Sequence, residues 1–233
     1  MNSAKSKNIK WKIYLMRKIW WFGDSWVFGD ELNNPADECF ASIVSDNFNL
    51  EHVNLGEKAT SIGHLVHTFF QYKDKIDTKD TVLFFLTEKS RAYINGKNLM
   101  HGAWKGFTDN LHPHNDQWYR YFHDEDEEQW ILDRDLMLLH AYCPKAKFCN
   151  IFSMNHSKYI PSSAWLIPSD TCLAHTILPY VHKGLILTDH PALLDREWEE
   201  QKTYVEKYFG KGHHPNKQGH SAIAEKIIGI LNA

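Results

Sequence analysis

The chain alternates short apolar runs with longer segments in which apolar residues recur at helical spacing. The apolar runs predict four strands and a shorter fifth, at 19–22, 51–55, 81–86, 146–154 and 184–188. The helical spacing predicts five helices, at 36–48, 62–76, 127–142, 195–209 and 217–231. Strand and helix in alternation is typical of a parallel sheet covered by helices on both faces. The predicted fold class is therefore α/β, a three-layer α/β/α sandwich with a central parallel sheet and flavodoxin-like architecture.

Two segments fall outside this alternation. Residues 1–15 are polar and basic and are predicted to form a flexible N-terminal arm, which leaves 16–233 as a single domain. Residues 87–126 are irregular, polar and rich in His, Asn, Trp and Tyr. They are predicted to be an insertion or lid over the carboxyl end of the sheet, where functional loops concentrate.

Composition excludes several function classes. Of 233 residues, 43% are hydrophobic and 24% charged, and the net charge of −3 with mixed signs argues against a nucleic-acid surface. No apolar run approaches the ~18 residues of a membrane span, and the N-terminus lacks the apolar centre of a secretion signal. The four cysteines have no Cys-x-x-Cys spacing, so we expect a cytoplasmic or other reducing compartment. The oligomeric state is not predicted.

The first strand leads into the most informative stretch of the chain. Ile19 to Phe22 is an apolar run that stops at Gly23-Asp24-Ser25. In α/β proteins ligands bind beyond the carboxyl ends of the strands, so a serine here is well placed for chemistry. The turn into a helix would also give it free backbone N–H groups that favour a developing negative charge.

This start resembles the first sequence block of the SGNH, or GDSL-type, hydrolases, whose nucleophilic serine lies in Gly-Asp-Ser. Near the C-terminus, His214-Pro215-Asn216 precedes a helical pattern and resembles the last block of that family, which carries the base histidine. The resemblance implies Ser25 as nucleophile and His214 as general base. His213 and His220 are weaker alternatives for the base.

The resemblance fails at the third member of the catalytic set. The family usually has an aspartate three residues before the histidine, and this chain has Lys211, which cannot accept the imidazole proton. Three outcomes are open. A backbone carbonyl orients His214, another carboxylate such as Asp189 reaches in, or the site is impaired.

The family also supplies donors for the oxyanion of acyl transfer. The backbone N–H of Ser25 is one, and Ala59 stands where the second block has a glycine, with Gly56 as the alternative. Lys89 stands where the third block has an asparagine. Thr87, Ser90 and Arg91 are alternative donors.

The resulting prediction is a serine ester hydrolase of SGNH type that needs no cofactor. By resemblance, its substrate is a small ester or an acylated carbohydrate. Fifteen histidines invite a metal site, but His112-Pro-His114 and His213-His214 lack a helical i, i+4 pair or a thiolate partner. The alternative is a binding or structural module of the same fold whose catalytic set has decayed, which Lys211 and Lys89 favour.

Overall fold

The computed structural model describes residues 17–89, 91–94, 97–99, 124–151, 155–177, 203–211 and 214–233. Within these residues the central feature is a four-stranded parallel sheet with the order β2-β1-β3-β6. Its strands are β1 (Lys18–Gly23), β2 (Glu51–Gly56), β3 (Thr81–Leu86) and β6 (Lys147–Asn150). The order places β1 and β3 at the centre, and their continuous apolar sequences match that position.

Successive side chains of the central strands point to opposite faces of the sheet. Trp21 and Phe85 lie in one apolar cluster, and Phe22 and Phe84 lie in another. Each cluster is closed by helices on its own face. The architecture is thus a three-layer α/β sandwich with a central parallel sheet, which confirms the predicted fold class.

The helices follow the strands in the predicted alternation. Their bounds are α1 (Ser25–Phe28), α2 (Pro35–Glu38), α3 (Phe40–Asn47), α4 (Ile62–Tyr72), α5 (Glu125–Tyr142) and α6 (Lys217–Leu231). Residues 203–208 are also helical. Helices α3 and α6 pack on the face of Trp21, and α4 and α5 pack on the face of Phe22.

The predicted single helix over 36–48 is wrong, because two helices meet at an extended Cys39 (φ −73°, ψ 152°). The backbone N–H of Phe40 donates to Nδ1 of His220 on α6 at 3.1 Å and not to a carbonyl of the preceding turn. The hydrogen bond that interrupts this helix therefore comes from a residue 180 positions away.

Two other predicted elements end earlier than expected. Helix α4 stops at Tyr72 and continues as a 3-10 turn at Lys73–Lys75, short of residue 76. Strand β6 stops at Asn150, whose buried side-chain amide donates to the carbonyl of Ser169 at 3.2 Å. Residues 152–154, the end of the predicted strand, lie outside the described residues.

Only part of the predicted insertion falls among the described residues. It contains a short antiparallel pair, β4 (Ala92–Ile94) and β5 (Lys97–Leu99). The arm at 1–15, residues 100–123 and the predicted strand at 184–188 lie outside the described ranges. Among the helices that are described, none has the length and apolar character needed to cross a bilayer.

Candidate active site

Ser25 lies at the carboxyl end of β1, where the strand turns directly into α1. The Asp24 side chain caps this helix by accepting the backbone N–H of Trp26 at 2.9 Å. Gly29 ends the helix in the left-handed region, at φ +84°, which costs glycine nothing. Because Ser25 is the first helical residue, its own N–H has no intrahelical acceptor.

His214 lies on a short loop between residues 203–208 and α6, and that loop is held by several hydrogen bonds. Gly210 N–H donates to the carbonyl of His214 at 2.8 Å, and Asn216 N–H donates to the carbonyl of Tyr208 at 2.8 Å. Asn216 also caps α6 by accepting the N–H groups of Gln218 and Gly219. The backbone beside the imidazole is therefore fixed on both sides.

The structure brings Ser25 and His214 together. Ser25 Oγ lies 2.9 Å from His214 Nε2, although the residues are 189 positions apart in the chain. An edge-to-face contact between Trp26 and Phe209, with ring centroids 5.7 Å apart, packs the two loops against each other. Ser25 is 8% exposed and the His214 side chain is 25% exposed, so a small ligand can reach the pair.

Two carboxylates from the loop after α1 lie near the imidazole, one beside each ring nitrogen. Glu31 Oε2 lies 3.6 Å from His214 Nδ1, and Asp30 Oδ2 lies 3.9 Å from Nε2. Nδ1 is buried and has no hydrogen-bond partner among the residues described. The sequence did not single out Glu31, because it stands in no block of the family resemblance. Lys211 is exposed, and Asp189 lies outside the described residues.

Ala59 keeps the backbone conformation that a glycine would adopt. Its φ is +58°, in the left-handed region that L-residues rarely occupy. The loop that carries Ala59 is tied to the serine loop, because the Asn54 amide donates to the carbonyl of Val27 at 2.7 Å. The side chain of Asn54 also accepts the N–H of Gly56 at 2.9 Å. The backbone conformation at residue 59 is thus one that a glycine would adopt at lower cost.

The loop after β3 carries Lys89 and Arg91, two of the predicted oxyanion donors, and both side chains contact other parts of the protein. Lys89 Nζ contacts Gln129 Oε1 on α5 at 3.5 Å. Arg91 is buried, donates to the carbonyl of Thr60 at 3.3 Å and lies 3.6 Å from Asp24 Oδ2. Ser90 lies outside the described residues.

Asp24 is the most deeply buried acid of the site. It is 0% exposed, and burial raises the pKa of its carboxyl, while the Arg91 guanidinium acts in the opposite direction. Asp24 and Arg91 therefore form a buried ion pair directly behind the serine.

His220, the weaker alternative for the base, serves the core. It is 0% exposed, its ring stacks on Phe40 at 5.5 Å, and Nδ1 accepts the Phe40 N–H. Burial first, then the proximity of His214, lowers the pKa of His220 to about 4. Its ring is therefore neutral at pH 7.

No group of three or more His, Cys, Asp or Glu side chains within the described ranges is arranged to hold a metal ion. Cys39, Cys143, Cys149 and Cys172 are all free thiols.

Several solved structures are similar to this chain at low sequence identity. A member of the lipolytic protein G-D-S-L family from Veillonella parvula is 12% identical, over 93% of this chain and 98% of its own, with a TM-score of 0.44. The psychrotrophic esterase EstA from Pseudoalteromonas is 12% identical, over 93% and 97%, with a TM-score of 0.45. A two-domain esterase active on acetylated mannans is 14% identical, over 93% and 49%, with a TM-score of 0.49.

No family model and no curated protein matches the chain. The likeness to these solved structures is one of overall fold and assigns a role to no residue.

Proposed function

We propose that this protein is a serine ester hydrolase of SGNH type, with Ser25 as nucleophile and His214 as general base. The observation that carries the proposal is the distance of 2.9 Å between Ser25 Oγ and His214 Nε2. A serine hydroxyl is a weak nucleophile at neutral pH, and a neutral imidazole within hydrogen-bond reach is the usual means of activating it.

The reaction follows from this pairing in two steps. His214 Nε2 takes the hydroxyl proton as Ser25 Oγ attacks the ester carbonyl, and the imidazolium then gives that proton to the departing alcohol. A water molecule next loses a proton to His214 and attacks the acyl-serine, which releases the acid and restores the hydroxyl. Both steps pass through a tetrahedral oxyanion.

The oxyanion is assigned to backbone donors from two loops. The first donor is the N–H of Ser25, the first residue of α1. The second is the N–H of Ala59, on the loop that the hydrogen bond from Asn54 to Val27 holds against the serine loop. The left-handed φ of Ala59 supports this role, because the chain has kept a costly conformation there. Lys89 as the third donor stays a prediction, and Lys89→Ala tests it. If Lys89 donates, kcat falls by roughly 10²-fold or more.

The proposed substrates are small acyl esters, including O-acetylated carbohydrates. This substrate class comes from the family resemblance. Assays with a panel of short-chain esters and acetylated oligosaccharides would identify which of these substrates the protein hydrolyses.

The alternative is a module of the same fold that binds without hydrolysing. Two observations favour it. Nδ1 of His214 has no hydrogen-bond partner among the described residues, and position 211 holds a lysine. The loss of the third member of a catalytic triad can lower turnover by ~10⁴-fold.

The deciding experiment is covalent labelling with a fluorophosphonate probe, with the modified peptide located by mass spectrometry. We expect modification of Ser25 in the wild type and none in Ser25→Ala, with hydrolysis of a short-chain nitrophenyl ester lost in the same variant. Ser221→Ala is the matched control, since its hydroxyl only donates to the carbonyl of Lys217 on the surface of α6. Absence of labelling, with equal background rates in all three proteins, would favour the binding module.

A further inference from the structure

The imidazole of His214 poses a requirement that the family resemblance does not meet. To take a proton from Ser25, Nε2 must be unprotonated, so the neutral ring has to carry its hydrogen on Nδ1. An N–H at that position needs an acceptor to fix the tautomer and the ring orientation. Lys211 offers none, and no described residue hydrogen-bonds to Nδ1.

Glu31 already holds its carboxylate against this side of the histidine. Oε2 accepts the backbone N–H of His214 at 3.2 Å and lies 3.6 Å from Nδ1 of the same residue. A hydrogen bond needs the second distance to shorten by several tenths of an ångström. Catalytic hydrogen bonds are often this long without substrate and tighten when it binds.

The backbone at Glu31 adopts an unusual conformation that turns its side chain toward the histidine loop. Helix α1 ends with the N–H groups of Gly29 and Asp30 both donating to the carbonyl of Ser25 at 3.0 Å. The next residue is Glu31, which has φ +66°, in the left-handed region that a glutamate rarely occupies. Such strain in a non-glycine residue persists where the surrounding structure needs that residue, and it concentrates at functional sites.

The facing loop has room for this carboxylate because residue 210 is a glycine. A Cβ on Gly210 would lie 2.8 Å from Glu31 Oε2 and 3.1 Å from its carboxyl carbon. A side chain at position 210 would therefore displace the glutamate. The two loops are complementary in shape at the point where the acid meets the histidine.

Asp30, the neighbouring carboxylate, does not meet the same requirement. Its Oδ2 lies 3.9 Å from Nε2, the nitrogen that faces Ser25, and its Oδ1 pairs with the ammonium of Lys58. An acid on the Nε2 side cannot accept the Nδ1 hydrogen. Asp30 is thus a natural control for Glu31, with the same charge on the same loop.

We propose that Glu31 is the positioning acid of the site, and that it takes the role which the family resemblance assigns to position 211. It holds His214 as the Nδ1–H tautomer and stabilises the imidazolium formed when Ser25 loses its proton. This inference rests on the proposed hydrolase function, and it describes a triad in which nucleophile and acid come from one loop and the base from another.

Kinetics test the inference through Glu31→Gln, with Asp30→Asn as the control and Ser25→Ala as the baseline. We expect Glu31→Gln to lower kcat by roughly 10²- to 10⁴-fold with little change in KM, since the acid acts only through the histidine. Glu31→Asp should recover part of the rate. Asp30→Asn removes the same charge without changing the partner of Nδ1, so its kcat should stay at least tenfold above that of Glu31→Gln.

Glu31→Gly separates function from folding. Glycine relieves the left-handed strain at this position, so the variant should melt at or above the wild-type temperature while its activity falls as in Glu31→Gln. If its activity stays within about threefold of wild type, Glu31 is not the positioning acid.

A measurement that needs no turnover completes the test. ¹⁵N chemical shifts of His214 at neutral pH should show the Nδ1–H tautomer in wild type and a shift toward Nε2–H in Glu31→Gln. Identical tautomers in the two proteins would overturn the inference. If the wild type neither hydrolyses esters nor labels, the hydrolase proposal fails while the tautomer still decides the role of Glu31. If the wild type is active and Glu31→Gln matches it, only the present inference fails.

Discussion

The two sides of the candidate site depart from the family resemblance in different ways. On the proposed acid–base side, residues 25–31 meet residues 209–211 and 214–216, and the contacts are direct hydrogen bonds between polar side chains and backbone. On the proposed oxyanion side, residues 57–61 meet residues 87–89 and 91, and the described contacts include a buried ion pair and a strained alanine. If Glu31 acts as proposed, the missing acid is replaced from a neighbouring loop, whereas a backbone donor depends only on the conformation of the chain.

The largest expected loss of stability comes from removing Arg91, the buried cation of the oxyanion side. Arg91→Met leaves Asp24, which is 0% exposed, as an unpaired buried carboxylate. We expect the free energy of unfolding at pH 7 to fall by about 3–5 kcal/mol, as for other buried pairs that lose one partner. Urea titration measures this loss. A change below about 1 kcal/mol would mean that the pair is not structurally important.

The next effect comes from His220 in the core and depends on pH. The folded protein holds the pKa of His220 at about 4, below the ordinary value of 6.5, so the folded state binds this proton less readily than the unfolded chain. The contribution of His220 to the free energy of unfolding is therefore fully present above pH 6.5, and it is lost as the pH falls toward 4. The drop corresponds to about 3 kcal/mol.

The variant that isolates this contribution is His220→Asn, whose Oδ1 can still accept the Phe40 N–H. We expect its stability to be lower at pH 7 and to decline less between pH 7 and pH 4 than that of the wild type. Urea titrations across this range provide the measurement, and parallel curves for the two proteins would contradict the assignment to His220.

A smaller effect distinguishes backbone strain from side-chain packing on the oxyanion side. Ala59→Gly removes the left-handed penalty at φ +58° and should raise the free energy of unfolding by about 1 kcal/mol. Ala222→Gly in α6 is the control and should lower it by about 0.5–1 kcal/mol. Both follow from thermal or urea unfolding. A destabilised Ala59→Gly would show that the methyl group is needed there.

The smallest effect comes from the exposed ion pair beside the site. Lys58, whose side chain is 58% exposed, pairs with Asp30. Lys58→Ala should change the free energy of unfolding by less than about 1 kcal/mol, because exposed pairs contribute little. Comparison of the losses of unfolding free energy in Lys58→Ala and Arg91→Met shows how much of the loss in Arg91→Met is due to burial of the ion pair. Equal losses in the two variants would contradict that explanation.

Most of the fold was predictable because the apolar periodicity of β1, β3 and α6 is strong. The central strands carry continuous apolar runs, and α6 places Ile223 and Ile227 on one buried face. The break at Cys39 was not predictable, since its cause is a hydrogen bond from Phe40 to a histidine near the other end of the chain. Local propensity does not report such distant partners.

The sequence predicted only those residues of the candidate site that stand in a sequence block of the family resemblance. Ser25 and His214 each stand in a recognisable block, and the structure places them in contact. Glu31 stands in no block, and its relation to His214 depends on a left-handed turn and on the glycine at position 210. Side chains set by such long-range fit are visible only in three dimensions.

The separation of Ser25 from His214 along the chain has a consequence for biosynthesis. A ribosome makes Ser25 189 residues before His214, and α6, which covers one face of the sheet, is made after both. If the two residues act as proposed, hydrolysis becomes possible only when α6 has docked. Until then the nascent polypeptide carries a serine hydroxyl with no imidazole beside it.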